Sequence, residues 1–529
     1  MEESKYMLGT TFCRKHSLNP LEVFSQQFIL SRDADHTIDG FERWRLSDWH
    51  LSAGNGLRVA THFHDRLALN ISVLGIAVDE NDIVLDSTTL AAATAKMKDY
   101  GEVAKYLSEC AGRYAFVLID PQNARIYGDP GNTLGFVYDI DTGTVGSTLH
   151  LTINRRIIAN DDYPLAYPAA INAGPRFAFG HTADARVKRP LGNHYLDLHS
   201  LETHRFWPTE STVLDVAEDD TAAQEAAVET FFERHQSVIA ALAKSFTPTI
   251  LPLSGGRETR LLLAAALKNL DDVDYLFSHM TNWATAVDVS VARLMAAAVG
   301  RDMTTINGKE AVQQMAEAGR LLPMRKVAKL SRGFRPRAAA IADSTLAVTQ
   351  MVPEGGILLR GYTTDLLKAV LWERGVERYR KGKPHNPRHG LRMLFLTGND
   401  RRTGLERYGE YWNDPWFQNA YGAWMDTLPA SARGRIYDFQ FMEHFQAHGH
   451  GESLYANTRN FYLSPGNDRV VYAAAVSLPP VRRRALIYNK RILEHHAPVL
   501  SEVPYNGDVK LLSQQERKDA GLDIATDYK

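Results

Sequence analysis

The chain of 529 residues has two cysteines, Cys13 and Cys110. So few thiols exclude a disulfide framework and point to a reducing, cytoplasmic setting. No run approaches the roughly 18–20 apolar residues that span a bilayer, so no membrane partner is expected. The opening MEESKYMLGTTF has no basic start followed by an apolar stretch, and no secretory signal is expected in it. Neither charge is in excess. Sixty Lys and Arg against 62 Asp and Glu leave a formal net charge of -2, which gives no reason to expect nucleic acid or an anionic surface as partner. The one basic run, Arg482-Arg483-Arg484, reads as a solvated helix face. Internal repeats and low-complexity stretches are also lacking. What is present is ordinary for a soluble globular protein: 44% hydrophobic and 23% charged residues, at a length suited to about two to four domains.

Residues 1 to about 207 read as short strands between turns. GRYAFVLIDPQNARIYGDPGNTLGFVY (112–138) alternates β-formers with Asp, Pro, Asn and Gly, and FGHTADARVKRPLGNHYLDLHSLETHRFW (179–207) repeats the pattern. This half is expected to be β-rich and mainly antiparallel. PTESTVLDVAEDDTAA (208–223) is polar and acidic, a linker candidate. Beyond it the texture changes. A helical period over 222–246 precedes a buried-strand run at 247–253. Strand runs then recur at 273–280 and 355–361 between helical stretches. That alternation predicts a parallel sheet flanked by helices, with a mostly helical last third.

The stretch ILPLSGGRETRLLLAAAL (250–267) stops an apolar run at Ser254-Gly255-Gly256 and opens a helix. The free N–H groups at a helix start, together with the helix dipole, make an anion site. Glycines let the backbone approach a phosphate closely. Ser254 and Thr259 can donate hydrogen bonds. Glu258 is an anion in an anion site, which makes chemical sense where a divalent cation bridges it to phosphate oxygens. A plain tight turn is the competing reading. The motif lacks the Lys of the P-loop and the spacing of G-x-G-x-x-G. Further on, LLRGYTTDLL (358–367) sets Asp365 after a strand and a Gly-containing turn, and ligands of open parallel sheets bind at the carboxyl ends of strands. Asp365 and Glu258 are therefore expected to share one Mg²⁺, with an N-cap as the alternative role for Asp365. In FSHMTNWATAVDVSVARLMAAAVG (277–300), Asp288, Ala292, Ala296 and Gly300 share a helical face whose small residues suit close packing.

SGGRET resembles the S-G-G-x-D-S pyrophosphate loop of ATP pyrophosphatases, with Glu258 and Thr259 in place of Asp and Ser. Most of the chain is similar to the asparagine synthetase-like family. GRYAFVLID, YGDPGNTLGFVY and FGHTADARVKRPLGNHYLDL resemble strands of its N-terminal domain, and LSPGNDRVVYAAAVSLPPVRRRALIYNKRIL (463–493) resembles its "PF-D" segment and following helix. The resemblance implies an α/β fold in two domains. Residues 1–210 would form a β-rich, glutaminase-type (Ntn-like) sandwich, and residues 220–529 an ATP-pyrophosphatase-type synthetase domain with a parallel sheet and a helical C-terminal part. It further implies ATP and Mg²⁺ as cofactors. Leu253, Ser254, Gly255, Gly256, Arg257, Glu258, Thr259, Ser278, Met280, Gly361 and Lys490 would bind nucleotide, with Ser278 and Met280 at the strand end lining the adenine pocket. Glu258 and Asp365 would be the metal ligands, and Lys490 would hold phosphates.

The chain departs from the family where the glutaminase needs an N-terminal Cys nucleophile: residue 2 is Glu. Cys13 is expected to be a core residue or a surface thiol, and the domain inactive toward glutamine. That departure matches the branch of β-lactam synthetases, carbapenam synthetase and lasso-peptide cyclases, which adenylate a carboxylate and close an amide with an amine of the same molecule. Gly361-Tyr362-x-x-Asp365 resembles the synthetase turn whose Tyr takes part in amine deprotonation, although Thr363 replaces a usual glycine. A Glu assists that Tyr in the family, and spacing leaves Glu443 and Glu452 as the candidates. Lys510, in EVPYNGDVKLL (502–512), stands nearest the lysine of the family's C-terminal loop, with Tyr505 in that lysine's own place. His444, His448 and His450 do not form a common zinc set and are expected to line a substrate cleft. The expected partners are small-molecule or peptide carboxylates and amines, and a homodimer is compatible with the reading. Transfer of free ammonia or an external amine, and a non-catalytic binding homologue, are the alternatives.

Overall fold

The computed structural model describes residues 7–164, 177–332, 342–373, 375–383, 385–395, 411–451 and 454–522. The chain divides into two compact units. One comprises Met1–Asp215, Lys326–Ala340 and Leu371–Thr458; the other comprises Val216–Arg325, Ile341–Val370 and Arg459–Lys529. The first break falls inside the acidic stretch 208–223. Neither unit is one continuous segment.

The first unit contains two six-stranded sheets, antiparallel at every pairing described. The strand-turn pattern read at 112–138 appears as Ala111–Ile119, Ala124–Gly128 and Val137–Asp139. The first turn forms because the Asp120 carboxylate accepts the backbone N–H groups of Gln122 at 2.8 Å and Asn123 at 2.6 Å, an Asx-type turn. Along Leu69–Val78, the alternate residues Leu69, Ile71 and Val73 face one side. There they pack in one core with Tyr114, Phe116 and Leu118 of the neighbouring strand, under Leu90, Val103 and Leu107. Each such side chain contributes roughly 1.5–3 kcal/mol on burial. The covering helices, Ser87–Thr94 and Tyr100–Ser108, were not visible in the strand-turn reading. Both start where an aspartate caps them: Asp86 accepts from Thr88 and Thr89, and Asp99 from Glu102.

The second unit is built on a five-stranded parallel sheet in the order Thr304–Asn307, Tyr275–Met280, Thr249–Pro252, Ile357–Leu359, Phe461–Leu463. The parallel sheet expected from the helix-strand alternation is thus present. Its central strand is apolar and buried at Ile250 and Leu251, as parallel strands covered on both faces require. Chain order runs outward from Thr249–Pro252 to one edge, then resumes at Ile357–Leu359 on the other side. The strand order therefore reverses between these two neighbours, which is where open α/β sheets form their binding crevice. The helix Thr221–Ser245, capped by Asp220, matches the period read over 222–246. On the helix Trp283–Ala298, Ala292 and Ala296 are buried, as expected of its small-residue face. Gly300 lies just past the helix end in the left-handed region, at φ 68°.

The arginine run departs from expectation, since only Arg484 of the three is exposed. Arg483 is fully buried and donates to the Leu478 carbonyl at 3.0 Å and the Leu366 carbonyl at 2.8 Å, while Arg482 donates to Gln224 Oε1 at 2.9 Å. The second lone pairs of backbone carbonyls take the guanidinium donors, which offsets the cost of burying the charge. Among the described residues, no helix is long and apolar enough to cross a membrane.

Candidate functional site

The loop 253–256 joins the central strand to the helix Arg257–Ala266. Leu253 is held to the neighbouring strand by its N–H, which donates to the Phe277 carbonyl at 2.7 Å. Thr259 then closes the loop. Its Oγ1 accepts the Ser254 N–H at 3.1 Å, donates to the Ser254 carbonyl at 3.1 Å and lies 3.0 Å from Ser254 Oγ. The hydroxyl read at 259 therefore shapes the loop. No N-cap side chain is available to the helix at Gly256. Gly255 is closely overlaid: a Cβ there would fall 2.7 Å from Asn506 Cβ and 3.2 Å from Asp288 Oδ1. Asn506 fixes this contact by donating its N–H to the Gly255 carbonyl at 3.1 Å and its Nδ2 to Asp288 at 2.6 Å.

The adjacent strand Ile357–Leu359 leads into a 3₁₀ turn, Tyr362–Lys368. Its entry residue, Gly361, packs against the backbone of Glu258. In a 3₁₀ turn side chains three apart eclipse one another, so Asp365 and Lys368 project together. Lys368 Nζ pairs with Asp365 Oδ1 at 2.5 Å and with Glu258 Oε1. Two carboxylates from separate strand ends thus meet at a single cation. Burial raises the pKa of Glu258, but the Lys368 ammonium and its hydrogen bond outweigh this and hold it below the usual glutamate range. Asp365 is pushed up by burial and by the Glu258 charge, against the pull of Lys368. The Lys368 pKa is raised: burial opposes its charge, and the two carboxylates more than compensate.

These donors suit a divalent cation as well as an ammonium. Mg²⁺ is commonly held by one or two carboxylates, with phosphates and waters completing its shell. Among the described residues, no group of three or more His, Cys, Asp or Glu is arranged to hold a metal unaided.

The remaining predicted residues are distributed as follows. Ser278 is buried on Tyr275–Met280, and Met280 ends that strand two residues on, on the same face. Tyr362 is buried at the start of the 3₁₀ turn. Thr363 is buried, with its Oγ1 2.7 Å from Ser464 Oγ. Lys490 lies on the helix Ile487–His496 with its side chain 76% exposed, 3.5 Å from Glu494 one turn on. Lys510 is exposed on the helix Asn506–Leu511. The Tyr505 ring lies under Arg257 at 4.6 Å and Arg260 at 4.0 Å.

In the first unit, Glu443 is fully buried with its oxygens already engaged. Arg205 donates to them at 2.6 and 2.8 Å, Trp424 Nε1 at 2.7 Å and Asn193 Nδ2 at 3.1 Å. Burial pushes its pKa up, yet Arg205, His194 and Trp424 bring it below the usual range. In this structure Glu443 is the anion of a buried ion pair. His444 does not line a cleft: it is fully buried, with ring contacts to Trp424 at 4.7 Å and Phe179 at 5.0 Å. Glu452 and the side chains of His448 and His450 lie outside the described ones. Cys13 is a core residue, packed with Phe24, Ile29 and Leu151, and burial raises its thiol to about 11.

The residues missed from sequence are Lys368 and Asn506. The spacing Asp365-x-x-Lys368 was a usable signal for the first, because i and i+3 share a face of a helical turn. Nothing local marked Asn506. No family model matches the chain, and no curated protein matches it in sequence.

Proposed function

We propose that the protein is an ATP-dependent carbon–nitrogen ligase of the asparagine synthetase-like kind, which adenylates a substrate carboxylate and joins it to an amine of the same molecule, closing a β-lactam or macrolactam in a biosynthetic pathway. The observation that carries this reading is the meeting of Glu258 and Asp365 at one cation, beside an SGG helix start, where the strand order reverses.

In this reading the second unit is an ATP-pyrophosphatase-type synthetase, and the first a degenerate glutaminase-like unit. The Mg²⁺ that Glu258 and Asp365 would hold supplies neutralisation of the phosphate charge. The loop amides of 254–256 and Ser254 bind the phosphates that leave. A substrate carboxylate oxygen attacks the α phosphorus, and the bond to the bridging oxygen breaks, releasing pyrophosphate. The amine then attacks the acyl carbon and AMP departs. Tyr362, beside Asp365 in the turn, assists loss of the amine proton. Since a free Tyr has a pKa near 10, that task needs a neighbouring acceptor. Lys490 reaches the phosphates by leaving Glu494, an exposed pair worth about 0–1 kcal/mol. Cys13 lies in the core of the first unit and takes no part in this chemistry, so the amine comes from the substrate itself or from solution. The enzyme acts in the cytoplasm on small-molecule or peptide substrates.

The test is incubation with MgATP and panels of amino acids and peptides, following pyrophosphate and product mass. Pyrophosphate with loss of one water from a single substrate supports closure. Joining of two molecules supports the intermolecular alternative. Failure to bind a MgATP analogue removes the ligase reading and leaves a binding homologue.

A further inference from the structure

Lys368 stands where the ligase reading puts a metal ion. Its ammonium contacts a carboxylate oxygen of Glu258 and one of Asp365, and its side chain is only 16% exposed. Two carboxylates brought this close repel each other unless a cation lies between them. Here the chain supplies that cation from the same turn as Asp365, three residues on. The trio carries one net negative charge where the bare pair would carry two. An incoming divalent ion therefore meets both a weaker field and an occupied position. A metal that arrives on a nucleotide is different: the phosphates bring most of its ligands, and they offer the displaced ammonium new acceptors.

We propose that Lys368 is a built-in competitor for the divalent cation, which keeps Glu258 and Asp365 together before substrate arrives and makes metal binding conditional on nucleotide. This inference rests on the ligase reading, because it concerns the same two ligands. It assigns Lys368 a positioning role and sets an order of binding: the metal enters with ATP rather than ahead of it.

The test is Mn²⁺ binding to the full-length protein, by calorimetry and by the loss of free-ion electron paramagnetic resonance signal, with and without α,β-methylene-ATP. Lys368→Met removes the charge and keeps much of the length of the side chain. Mn²⁺ alone is expected to bind Lys368→Met at least about tenfold more tightly than the unaltered protein, a free-energy change of about 1.4 kcal/mol. Lys368→Arg, which keeps the charge, is expected to stay weak. A purely structural lysine would lower the melting temperature without changing Mn²⁺ affinity. Should Lys368→Met fail to fold, Lys368→Gln makes the same comparison. Equal Mn²⁺ affinity in the unaltered and charge-free proteins, with Mn²⁺–nucleotide still bound by both, overturns this inference alone. If neither protein binds Mn²⁺ in the presence of the nucleotide, the inference and the ligase reading fall together.

Discussion

Gly361 and Glu258 are in backbone contact: a Cβ at position 361 would lie 2.9 Å from the Glu258 carbonyl oxygen and 3.2 Å from its Cβ. The turn that carries Asp365 can approach the helix that carries Glu258 because residue 361 has no side chain. Its φ of -94° is ordinary, so the constraint is space rather than backbone strain. Gly361→Ala should force the two turns apart, at a cost of about 1–3 kcal/mol. The displaced carboxylates should slow ATP–pyrophosphate exchange by at least about tenfold. Denaturant unfolding and exchange rates check both. Full stability with native exchange would show that the close approach is not needed.

Glu443 and Arg205 are both buried, at 0% and 8% side-chain exposure. Removing one partner strands the other charge away from water. Arg205→Ala and Glu443→Ala should each cost about 3–5 kcal/mol, measured by denaturant unfolding. Glu443→Gln keeps hydrogen-bonding capacity and should cost less. If Glu443→Gln abolished pyrophosphate release while leaving stability untouched, Glu443 would have a role in the chemistry after all.

His150 and His235 sit in different units, and burial lowers both to about 4 from 6.5. His150 faces Lys329 and donates its Nδ1–H to the Leu330 carbonyl at 3.0 Å; His235 lies near Asp468 and Arg234 and donates its Nδ1–H to the Phe231 carbonyl at 2.8 Å. Between these pH values the unfolded chain binds more protons than the native one. Stability should therefore be full above about pH 6.5 and decline as pH falls towards 4, by about 2 kcal/mol per histidine at about pH 5. Unfolding free energies at several pH values test this. His150→Gln and His235→Gln should lower overall stability but flatten the slope, and an unchanged slope in both would show that these rings do not set it.

Cys13 and Cys110 are buried, at 0% and 1% exposure, and the Cys13 thiol is held protonated by burial. The thiolate is the reactive form. Neither thiol should react with Ellman's reagent at neutral pH until the protein unfolds, when both should. Rapid labelling of one thiol in the native protein would contradict the packing around it.

What could be read in the sequence was local. Ser254-Gly255-Gly256 and Asp365 were visible because glycines and polar residues interrupt apolar runs at strand ends, and the parallel sheet because those runs are short and alternate with helical periods. The roles of Glu258 and Glu443 were harder to separate. Both are acids near apolar stretches, and what distinguishes them is partners far away in sequence: Glu258 meets Lys368 110 residues on, and Glu443 meets Asn193 250 residues back. Asn506 reaches Gly255 across a similar gap. The solvated-face reading of Arg482-Arg483-Arg484 holds for Arg484 and fails for Arg483 for a related reason, since the Leu478 and Leu366 carbonyls accept the Arg483 donors. Packing of this kind leaves no periodic mark on the chain.

The most direct measurement is a crystal structure with α,β-methylene-ATP and Mn²⁺, with the metal located by anomalous scattering. The account predicts one Mn²⁺ bound by carboxylate oxygens of Glu258 and Asp365 and by nucleotide phosphates, with Lys368 moved off the pair. Nucleotide bound elsewhere, or a metal peak away from both residues while Lys368 still joins them, would contradict it.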